Sequence, residues 1–340
     1  MPRLSVVIPA WNAGSVLAAH LPRVVDEAAR VDGGAEVLVV DDGSDLPRDT
    51  TEAVVRVAGP PARLIRKSRH EGFMGTANAG AREAVGTYLF FLNADMHVEE
   101  GCFEKLLAVL DAHPEAFAVT PVIVNLEEGF PESTTQYRFW RGVLDLISPG
   151  RHGVPPPRED ELRRIAYPCG GAMVCLRQVF LDLGGFLELY GPIYWDDADL
   201  GWRARRAGYD AFEFGGARIL HDHARTIGAY YSPREIRCVY ERNRLLCTWI
   251  NLAGVRPWLA HLGWLLPRWF GAVVRREPTA RALPRALARL PRAARERRGQ
   301  RRTRRAARTL LAQLVRAGAS GWPTITPRMA TAAEQGATRD

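Results

Sequence analysis

The chain contains 340 residues, of which 47% are hydrophobic and 25% are charged. This composition excludes global disorder and supplies enough apolar residues for one large core or two smaller ones. The net charge of +8 is unevenly distributed, since residues 275–308 contain 14 arginines and two glutamates, a net +12. The rest of the chain therefore carries −4, and we expect a basic tail attached to a mildly acidic body.

The cysteines and the apolar runs indicate the cellular compartment in which the chain functions. The five cysteines form no CxxC pair, and an odd count without a regular framework is typical of a reduced, cytoplasmic protein. Residues 1–12 lack the basic stretch and long apolar run of a signal peptide, so they predict a first strand. Arginines and prolines interrupt the apolar stretch at residues 249–274, and we therefore expect no transmembrane helix.

Short apolar runs alternate with helical patterns through the first 125 residues. Strands are predicted at residues 4–8, 35–40, 63–66, 88–92 and 117–124, and helices at 15–29, 50–57, 75–85 and 103–112. Strands separated by single helices imply right-handed βαβ units, a mainly parallel sheet, and ligands bound beyond the carboxyl ends of the strands. Residues 130–160, rich in proline and charge, predict a long surface loop. Further strands are expected at 165–176 and 211–220, a helix at 199–207, and helices from Pro233 onward.

Polar residues follow three of the predicted strands, and turn formation alone explains one such site more easily than three. Acidic side chains at these ends suit a nucleotide whose diphosphate is neutralised by Mg²⁺ or Mn²⁺. Asp41 or Asp42 can accept a hydrogen bond from a base or a ribose, and Asp95 can hold the metal. The residues at the ends of the first, second and fourth strands are Pro9, Ala10, Trp11 and Asn12, then Asp41 and Asp42, then Asn93, Ala94 and Asp95.

A second acidic cluster surrounds the start of the helix predicted at residues 199–207. Acids at a helix N-terminus favour the helix dipole, so Asp199 can serve as a cap alone. Asp196 and Asp197 exceed what capping requires, and Asp197 is our candidate general base toward an acceptor hydroxyl. His221 follows the strand predicted at 211–220. His221 can have either a structural or a metal-binding role. The sequence does not decide whether His221 or His223 would bind the metal.

In this order, the motifs resemble glycosyltransferase family 2, a large inverting family with a GT-A type fold that includes rhamnosyltransferases. The resemblance covers about residues 3–250 and rests on residues 6–12, 39–44, 71–80, 91–95, 184–186 and 196–200. It implies an α/β fold with a Rossmann-like, mainly parallel sheet sandwiched by helices and followed by a C-terminal helical tail. Residues 1–250 would form the transferase domain, with a nucleotide-binding half at 1–125 and an acceptor half at 160–250.

The resemblance also implies a role for each matching residue. Asp95 would hold the metal with help from His221, and Asp197 would be the catalytic base, with Asp196 as the alternative. The acceptor side would comprise Gly170, Gly171 and Trp195. The nucleotide sugar would be bound by Pro9, Ala10, Trp11, Asn12, Asp41, Asp42, Gly72, Asn78, Asn93 and Ala94.

Three positions depart from the family pattern. Asn93 stands where the DxD metal motif has its first aspartate, His70 where asparagine is frequent, and Asp196 where glutamate is commoner. The implied activity is inverting, metal-dependent transfer of a sugar from a nucleotide-sugar donor to a glycan or glycolipid acceptor. A non-catalytic nucleotide-sugar sensor or scaffold is the alternative. A dinucleotide oxidoreductase is disfavoured because residues 9–14 lack GxGxxG.

Residues 251–318 predict a basic, amphipathic helical region, and residues 319–340 predict disorder. Such helices can lie on an anionic membrane surface, with tryptophans at the interface. Packing on the catalytic domain or on another subunit is an equal alternative, so a homo-oligomer stays open, and nucleic acid ranks lowest because the chain has no reader motif. The expected location is the cytoplasm, with peripheral attachment to the inner face of the cell membrane if the tail binds lipid. The side chains concerned are Leu283, Leu287, Leu290, Leu310, Leu311, Leu314, Trp258, Trp264 and Trp269.

Overall fold

A nine-stranded sheet forms the centre of the protein over the described residues, which in this computed structural model are 1–45, 49–140, 142–222 and 230–299. Its strands are β1 (Leu4–Ala10), β2 (Ala35–Asp41), β3 (Ala62–Arg66), β4 (Tyr88–Leu92), β5 (Met96–Val98), β6 (Ala116–Asn125), β9 (Leu162–Ile165), β10 (Ala172–Leu176) and β11 (Asp210–His221). They lie in the order β3-β2-β1-β4-β10-β6-β11-β5, and β9 also pairs with β11. A separate hairpin is formed by β7 (Gln136–Trp140) and β8 (Val143–Ile147).

Helices cover both faces of the sheet. They are α1 (Gly14–Ala29), α2 (Thr51–Ala58), α3 (Gly72–Glu83), α4 (Cys102–Ala112), α5 (Arg177–Asp182), α6 (Asp196–Arg206), α7 (Pro233–Asn251), α8 (Val255–Val274), α9 (Ala282–Ala288) and α10 (Leu290–Gly299). Alternate side chains of β1 serve opposite faces. Val6 and Ile8 join the core beneath α1 and α4, whereas Val7 joins the core beneath α3 and α6. Because both faces are buried, the central strands are near-continuous apolar runs.

The sheet is parallel across β3-β2-β1-β4 and again between β6 and β11. Strand β10 runs antiparallel to both of its neighbours, β4 and β6, and strands β5 and β9 run antiparallel to β11. The single strand predicted at residues 165–176 is therefore wrong. A turn closed by the hydrogen bond from the Ala172 N–H to Cys169 O (3.0 Å) separates β9 from β10.

The surface loop predicted at residues 130–160 is also wrong in part, because it contains the β7–β8 hairpin. Tyr137 and Leu144 of this hairpin are each only 1% exposed. The Tyr137 hydroxyl donates to Ala198 O (2.5 Å), and the Leu144 N–H donates to Thr248 Oγ1 (3.1 Å). The hairpin therefore docks on α6 and α7. Its alternating apolar residues were the available signal, which the surrounding prolines and charges obscured.

The C-terminal helices pack on the sheet domain. Helix α7 begins with a capping box in which Ser232 Oγ accepts from the Glu235 N–H (3.3 Å) and the Glu235 carboxylate accepts from the Ser232 N–H (2.9 Å). Leu283 and Ala286 of α9 and Ala293 of α10 are buried in the same core as α7. Residues 300–318 of the predicted basic region, with Leu310, Leu311 and Leu314, and the disorder predicted at 319–340 lie outside the described residues.

Within the described part of the chain, no helix combines the length and the apolar character needed to cross a lipid bilayer.

Candidate active site

The carboxyl ends of β1 and β2 are joined through the loops that follow them. The Asn12 N–H donates to Ser44 Oγ (2.8 Å), and the Asp45 N–H donates to Asn12 Oδ1 (3.0 Å). Asp41 is fully buried, accepts hydrogen bonds from the Ser44 N–H (3.2 Å) and hydroxyl, and lies 3.4 Å from Arg66 Nη1. Asn12 has a left-handed φ of 49°, which asparagine tolerates better than most residues. The first two predicted motifs therefore meet at one edge of the sheet.

The Asp42 carboxylate is used within the protein. It accepts hydrogen bonds from Lys67 Nζ (2.9 Å), the Glu71 N–H (2.9 Å) and the Gly72 N–H (2.7 Å), and it lies 2.9 Å from His70 Nδ1. These contacts join the end of β2 to the start of α3. Asp42 and the main chain of Gly72 therefore hold each other in place, and the donor contacts expected of them stay predictions.

An aromatic cluster lies beside the loop after β1. The Trp11 indole contacts the His70 ring, with centroids 4.1 Å apart, and the Tyr230 ring, with centroids 4.6 Å apart. His70 precedes α3 and Tyr230 precedes α7, so the cluster connects distant parts of the chain. Tyr230 is not among the predicted site residues. Its position depends on how α7 packs, and no local sequence pattern predicts that packing. Flat aromatic surfaces of this kind can stack against a nucleobase.

Asn78 makes an internal contact with both of its polar side-chain atoms. Its amide nitrogen donates to Phe186 O (2.8 Å) and its amide oxygen accepts from the Phe186 N–H (2.9 Å). Gly185 permits the approach, since a Cβ there would lie 2.4 Å from Asn78 Oδ1. The donor contact expected of Asn78 stays a prediction. This residue ties α3 to the turn at residues 184–186.

Asp95 and His221 meet where β11 passes the loop that follows β4. Asp95 Oδ1 lies 3.6 Å from His221 Nε2, and Glu132 Oε2 lies 3.0 Å from the other ring nitrogen, Nδ1. Asn125 Nδ2 in turn donates to Glu132 Oε1 (2.9 Å). The sequence analysis missed Glu132, which lies in the segment predicted as a loop. A carboxylate behind a histidine fixes the tautomer and the ring orientation, as it does for metal-binding histidines.

The pair of Asp95 and His221 fits one side of a divalent-metal site. The carboxylate of Asp95 and the imidazole of His221, with Oδ1 and Nε2 3.6 Å apart, are donor types that would hold such a metal. Burial lowers the pKa of His221, but hydrogen bonds to Asp95 and Glu132 and their charges outweigh it and raise the pKa to about 9. Within the described ranges, no three His, Cys, Asp or Glu side chains form a metal cage, so substrate phosphates and water would supply further ligands. His223 lies outside those ranges.

Two glycines separate the metal-side loop from the acidic cluster. The Asn93 N–H donates to Gly171 O (2.8 Å), and a Cβ at Gly171 would lie 2.6 Å from Asn93 Nδ2. On the other side, a Cβ at Gly170 would lie 3.3 Å from Asp197 Cβ, and the Gly170 N–H makes a weak contact with Asp197 Oδ2 at 3.5 Å. Asn93 and Asp197 therefore lie on either side of the main chain at Gly170 and Gly171, which carries no side chains.

Asp196 and Asp197 occupy the first turn of α6 and differ in exposure. Asp196 is 6% exposed, and burial together with the charge of Asp197 raises its pKa well above the ordinary value. Asp197 is half-buried. Burial raises its pKa to about 6, against the opposing effect of hydrogen bonds from the Ala198 and Gly170 N–H groups. A pKa of about 6 leaves Asp197 mostly ionised at neutral pH, as a general base must be.

Two neighbouring residues have structural roles. Trp195 is 1% exposed and packs against Tyr240, with ring centroids 5.5 Å apart, so its side chain lies in the core instead of the acceptor side predicted for it. Asp199 is fully buried, where its carboxylate lies 2.7 Å from Arg203 Nε and accepts from the Tyr190 hydroxyl (2.9 Å). Asp199 thus stabilises α6 through an ion pair one turn along the helix, in place of the predicted cap.

Three polar side chains from the C-terminal helices hold the loop that precedes α6, at residues 189–194. Asn243 Nδ2 donates to the main-chain oxygens of residues 190, 193 and 194 (2.5, 2.9 and 2.9 Å). Arg242 Nη2 donates to those of residues 190 and 191 (2.8 and 2.6 Å), and Arg289 Nη1 to those of residues 189 and 191 (2.5 and 3.0 Å). In the sequence, Arg289 is recognisable only as part of the charge of the basic tail. Its partners are main-chain carbonyls, and no pattern of charged residues predicts a contact of that kind.

A family model described as "Glycosyl transferase family 2" matches residues 5–180, more than half of the chain. The "Pre-mycofactocin glycosyltransferase" of Mycobacterium tuberculosis is 29% identical over 220 residues, which cover 65% of this chain and 43% of that protein. The "N-acetylglucosaminyl-diphospho-decaprenol L-rhamnosyltransferase" of the same species is 26% identical over 258 residues, or 68% of this chain and 79% of that protein. The chain thus spans less than half the length of the first relative.

Solved structures share the fold. GalNAc-T7 with UDP, GalNAc and Mn²⁺ superposes with a TM-score of 0.58 at 18% identity, covering 74% of this chain and 48% of that one. The mannosyltransferase PcManGT from Pyrobaculum calidifontis, in complex with GDP-Man and Mn²⁺, superposes with a TM-score of 0.53 at 17% identity, covering 92% and 87%. The predicted α/β fold of GT-A type is confirmed.

Proposed function

Because this chain belongs to glycosyl transferase family 2, we propose that it transfers a sugar from a nucleotide-sugar donor to an acceptor hydroxyl, with inversion at the anomeric carbon. The observation that carries the proposal is the pair of glycines flanked by Asn93 and Asp197. It brings a partly exposed carboxylate next to the loop that the family motif assigns to the donor diphosphate. A base and a leaving group on opposite sides of one reacting carbon favour a single displacement.

Asp197 is the proposed base. It accepts the proton of the acceptor hydroxyl while the acceptor oxygen bonds to the anomeric carbon, and the bond from that carbon to the diphosphate oxygen breaks. Its pKa of about 6 leaves it ionised at neutral pH yet basic enough to take a proton. Asp196 is the weaker candidate, because it is 6% exposed and burial raises its pKa well above the ordinary value.

Asp95 and His221 are the proposed metal ligands, and Glu132 orients the His221 ring through Nδ1. Mg²⁺ or Mn²⁺ held there would neutralise charge on the leaving diphosphate. The Mn²⁺ in the two similar structures named above supports a divalent metal. Asn93, in place of a second acid, leaves Asp95 as the one carboxylate that the DxD-like motif offers this metal.

The donor is proposed to lie along the loops after β1, β2 and β4. Asn12, the Trp11 ring and Asp41 would surround the nucleoside, and Asn93 and Ala94 the diphosphate. Pro9 and Ala10 would line the base of the donor site, while Asp42, Gly72 and Asn78 hold these loops in place. The similar proteins were solved with UDP and with GDP-Man, so both nucleotides belong in the test.

The proposed acceptor is a glycan or a lipid-linked saccharide, approached past Gly170 and Gly171. The name of the rhamnosyltransferase relative, which includes a diphospho-decaprenol, supports the lipid-linked form. We also propose that residues 1–250 form the transferase domain and that residues 251–299 are a helical extension docked on it.

A donor screen tests the function. The chain is incubated with UDP-, GDP- and dTDP-sugars, Mn²⁺ or Mg²⁺, and a panel of glycan and lipid-linked saccharide acceptors, and release of nucleoside diphosphate is measured beside donor binding. Turnover of one donor in wild type and none in Asp197→Asn is the expected result. Absence of both binding and turnover for every donor would refute the proposal. Binding without turnover would support a non-catalytic nucleotide-sugar sensor instead.

A further inference from the structure

Helix α8 presents a continuous apolar stripe to solvent. Its members recur at intervals of three and four residues, which places them on one face of the helix for about 27 Å. Single exposed apolar residues are ordinary on protein surfaces, but a stripe of this length marks an interaction site. The six side chains and their exposed fractions are Val255 (75%), Leu259 (64%), Leu262 (50%), Leu266 (58%), Phe270 (65%) and Val273 (43%).

The opposite face of α8 fixes the direction of the stripe. Trp249 Nε1 donates to His261 Nε2 (2.8 Å), which leaves His261 Nδ1 as donor to Gly142 O (2.8 Å). Burial lowers the pKa of His261, in keeping with this neutral tautomer. Ala272, three turns further along the same face as His261, is 4% exposed. The helix is therefore held against the body on one side while the stripe faces outward.

The charge around the stripe selects the partner. Helix α8 contains no acidic residue, and residues 255–299 contain 11 arginines and two glutamates, a net +9. Arg275, Arg276, Arg281, Arg285 and Arg292 are among those exposed. A second copy of the chain docked stripe to stripe would bring two such basic surfaces together, and like charges repel. An anionic lipid surface offers apolar depth and negative charge at once.

We propose that α8 lies in the headgroup region of an anionic membrane, with its stripe toward the acyl chains and the arginines of α9 and α10 toward lipid phosphates. The proposal locates the membrane contact on α8. Of the leucines that the sequence pattern placed on an amphipathic face, Leu283 is buried at 8% exposure, and Leu287 and Leu290 lie outside the α8 stripe. The proposal goes beyond the sugar transfer and does not depend on it.

Vesicle flotation tests this assignment. Full-length protein is floated, without donor or acceptor, with phosphatidylcholine vesicles that contain phosphatidylglycerol and with phosphatidylcholine vesicles alone. We expect strong partition to the anionic vesicles only. The double variant Leu259→Glu with Leu266→Glu should lower that partition by at least about tenfold, because it removes apolar contacts and adds charges that the surface repels.

The matched control is Val57→Glu with Val85→Glu, which adds the same charge at two exposed valines away from α8 (88% and 49% exposed), and it should float as wild type does. If the α8 variant melts early, Leu262→Gln with Phe270→Gln tests the stripe without added charge. Failure of wild type to bind anionic vesicles, or equal binding by both double variants, overturns the proposal. So does light scattering that shows a wild-type dimer and a monomeric stripe variant, since a second copy would then cover the stripe.

Discussion

Two adjacent aspartates at the start of α6 differ in burial and in the shift of their pKa. Burial raises the pKa of Asp196 well above its ordinary value, whereas Asp197 faces Gly170 and has a pKa of about 6. The difference arises from the helix turn, which places one carboxyl in the core and leaves the other partly exposed. Position at a helix N-terminus alone would have stabilised both as anions. The asymmetry is therefore the feature that we connect with base catalysis.

Asp197→Asn should lower kcat by about 10²–10⁴-fold, because the amide cannot accept the acceptor proton. Donor affinity should stay unchanged, as measured by calorimetry. The variant should also be at least as stable as wild type in urea at pH 8, since the fold disfavours the charge that is removed. Asp160→Asn, at an aspartate whose side chain is 71% exposed, is the control. An unchanged kcat would place the base elsewhere.

The pKa of Asp197 also sets a pH dependence. Since the base must be ionised, kcat/KM should rise with pH through about 6 and level off above it. The stability change has the opposite sign, because the folded-state pKa lies above the ordinary value of about 4. The contribution of this group to the free energy of unfolding should fall as pH rises from about 4 to about 6. A rate profile without an inflection near 6 in wild type would argue against this assignment.

Glu132→Gln should weaken Mn²⁺ binding by about 10–100-fold, because the His221 ring loses the carboxylate that orients it. Titration calorimetry with Mn²⁺ alone measures this without reference to turnover. Glu128→Gln, in the same segment and 52% exposed at its side chain, should bind Mn²⁺ as wild type does. Equal affinities for wild type and the Glu132 variant would show that Glu132 has no part in metal binding.

At the level of single residues, the order of the motifs predicted two pairs of neighbouring side chains, Asp95 with His221 and Asp196 with Asp197. It did not predict Glu132, which reaches His221 across 89 residues of sequence. That contact depends on the turn that returns along the end of β6, where the Glu132 N–H donates to Ile123 O (2.8 Å), and on the pairing of β6 with β11. Local patterns indicate which residues come directly after a strand, and they carry no information on which distant side chain will lie behind them.

The β7–β8 hairpin connects the body with the C-terminal helices. Gly142, at its turn, has a φ of +75°, and a Cβ there would lie 2.5 Å from Ala260 O of α8. The carbonyl of Gly142 also accepts from the His261 ring. This one glycine therefore meets two separate demands, a left-handed turn and close contact with a helix backbone.

Gly142→Ala should lower the free energy of unfolding by about 2–3 kcal/mol, because backbone strain adds to a clash that neither partner can relieve. Gly129→Ala is the matched control, since Gly129 has a φ of +70° with no atom within 4 Å of a Cβ, and it should cost about 1 kcal/mol. Urea denaturation measures both. Equal losses in the two variants would mean that the contact with α8 contributes nothing.

The loop at residues 189–194 shows how the C-terminal helices bear on the site. Tyr194 and Trp195 have left-handed φ values of 66° and 77°, a strained conformation that surrounding structure must maintain. Arg242, Asn243 and Arg289 supply that structure by donating to the carbonyls of this loop. Part of the basic tail therefore positions the acids of α6.

Arg289→Ala should lower kcat by about tenfold with little change in donor KM, because a small shift of the loop misplaces Asp197. Arg292→Ala, one turn along the chain and exposed, removes the same charge and should behave as wild type. Arg289→Lys should recover part of the rate by donating to one carbonyl. A loss of kcat as large in the Arg292 variant would mean that charge, and not the loop contact, is responsible.

For the whole molecule, the parallel half of the sheet was predictable and the other half was not. Strands β1 to β4 lie where apolar runs and intervening helices placed them, since each βαβ unit has a local signal. Strand β10 was merged with β9, because an antiparallel strand inserted between β4 and β6 is specified by contacts with residues far away in sequence. The charge of the basic tail was predicted, and its packing on the catalytic domain was one of the alternatives that the sequence left open; the contact with α7 itself had no local signal.

The position of β10 has a mechanical consequence. This strand comes from the second half of the chain, yet it is hydrogen-bonded on both sides to strands of the first half. A hinge motion that separated the two halves would break the hydrogen bonds between β10 and its two neighbours. We therefore expect opening and closing during turnover to be confined to the loops at the edge of the sheet. For the same reason we expect the halves to unfold together, in one cooperative step, and not as independent modules.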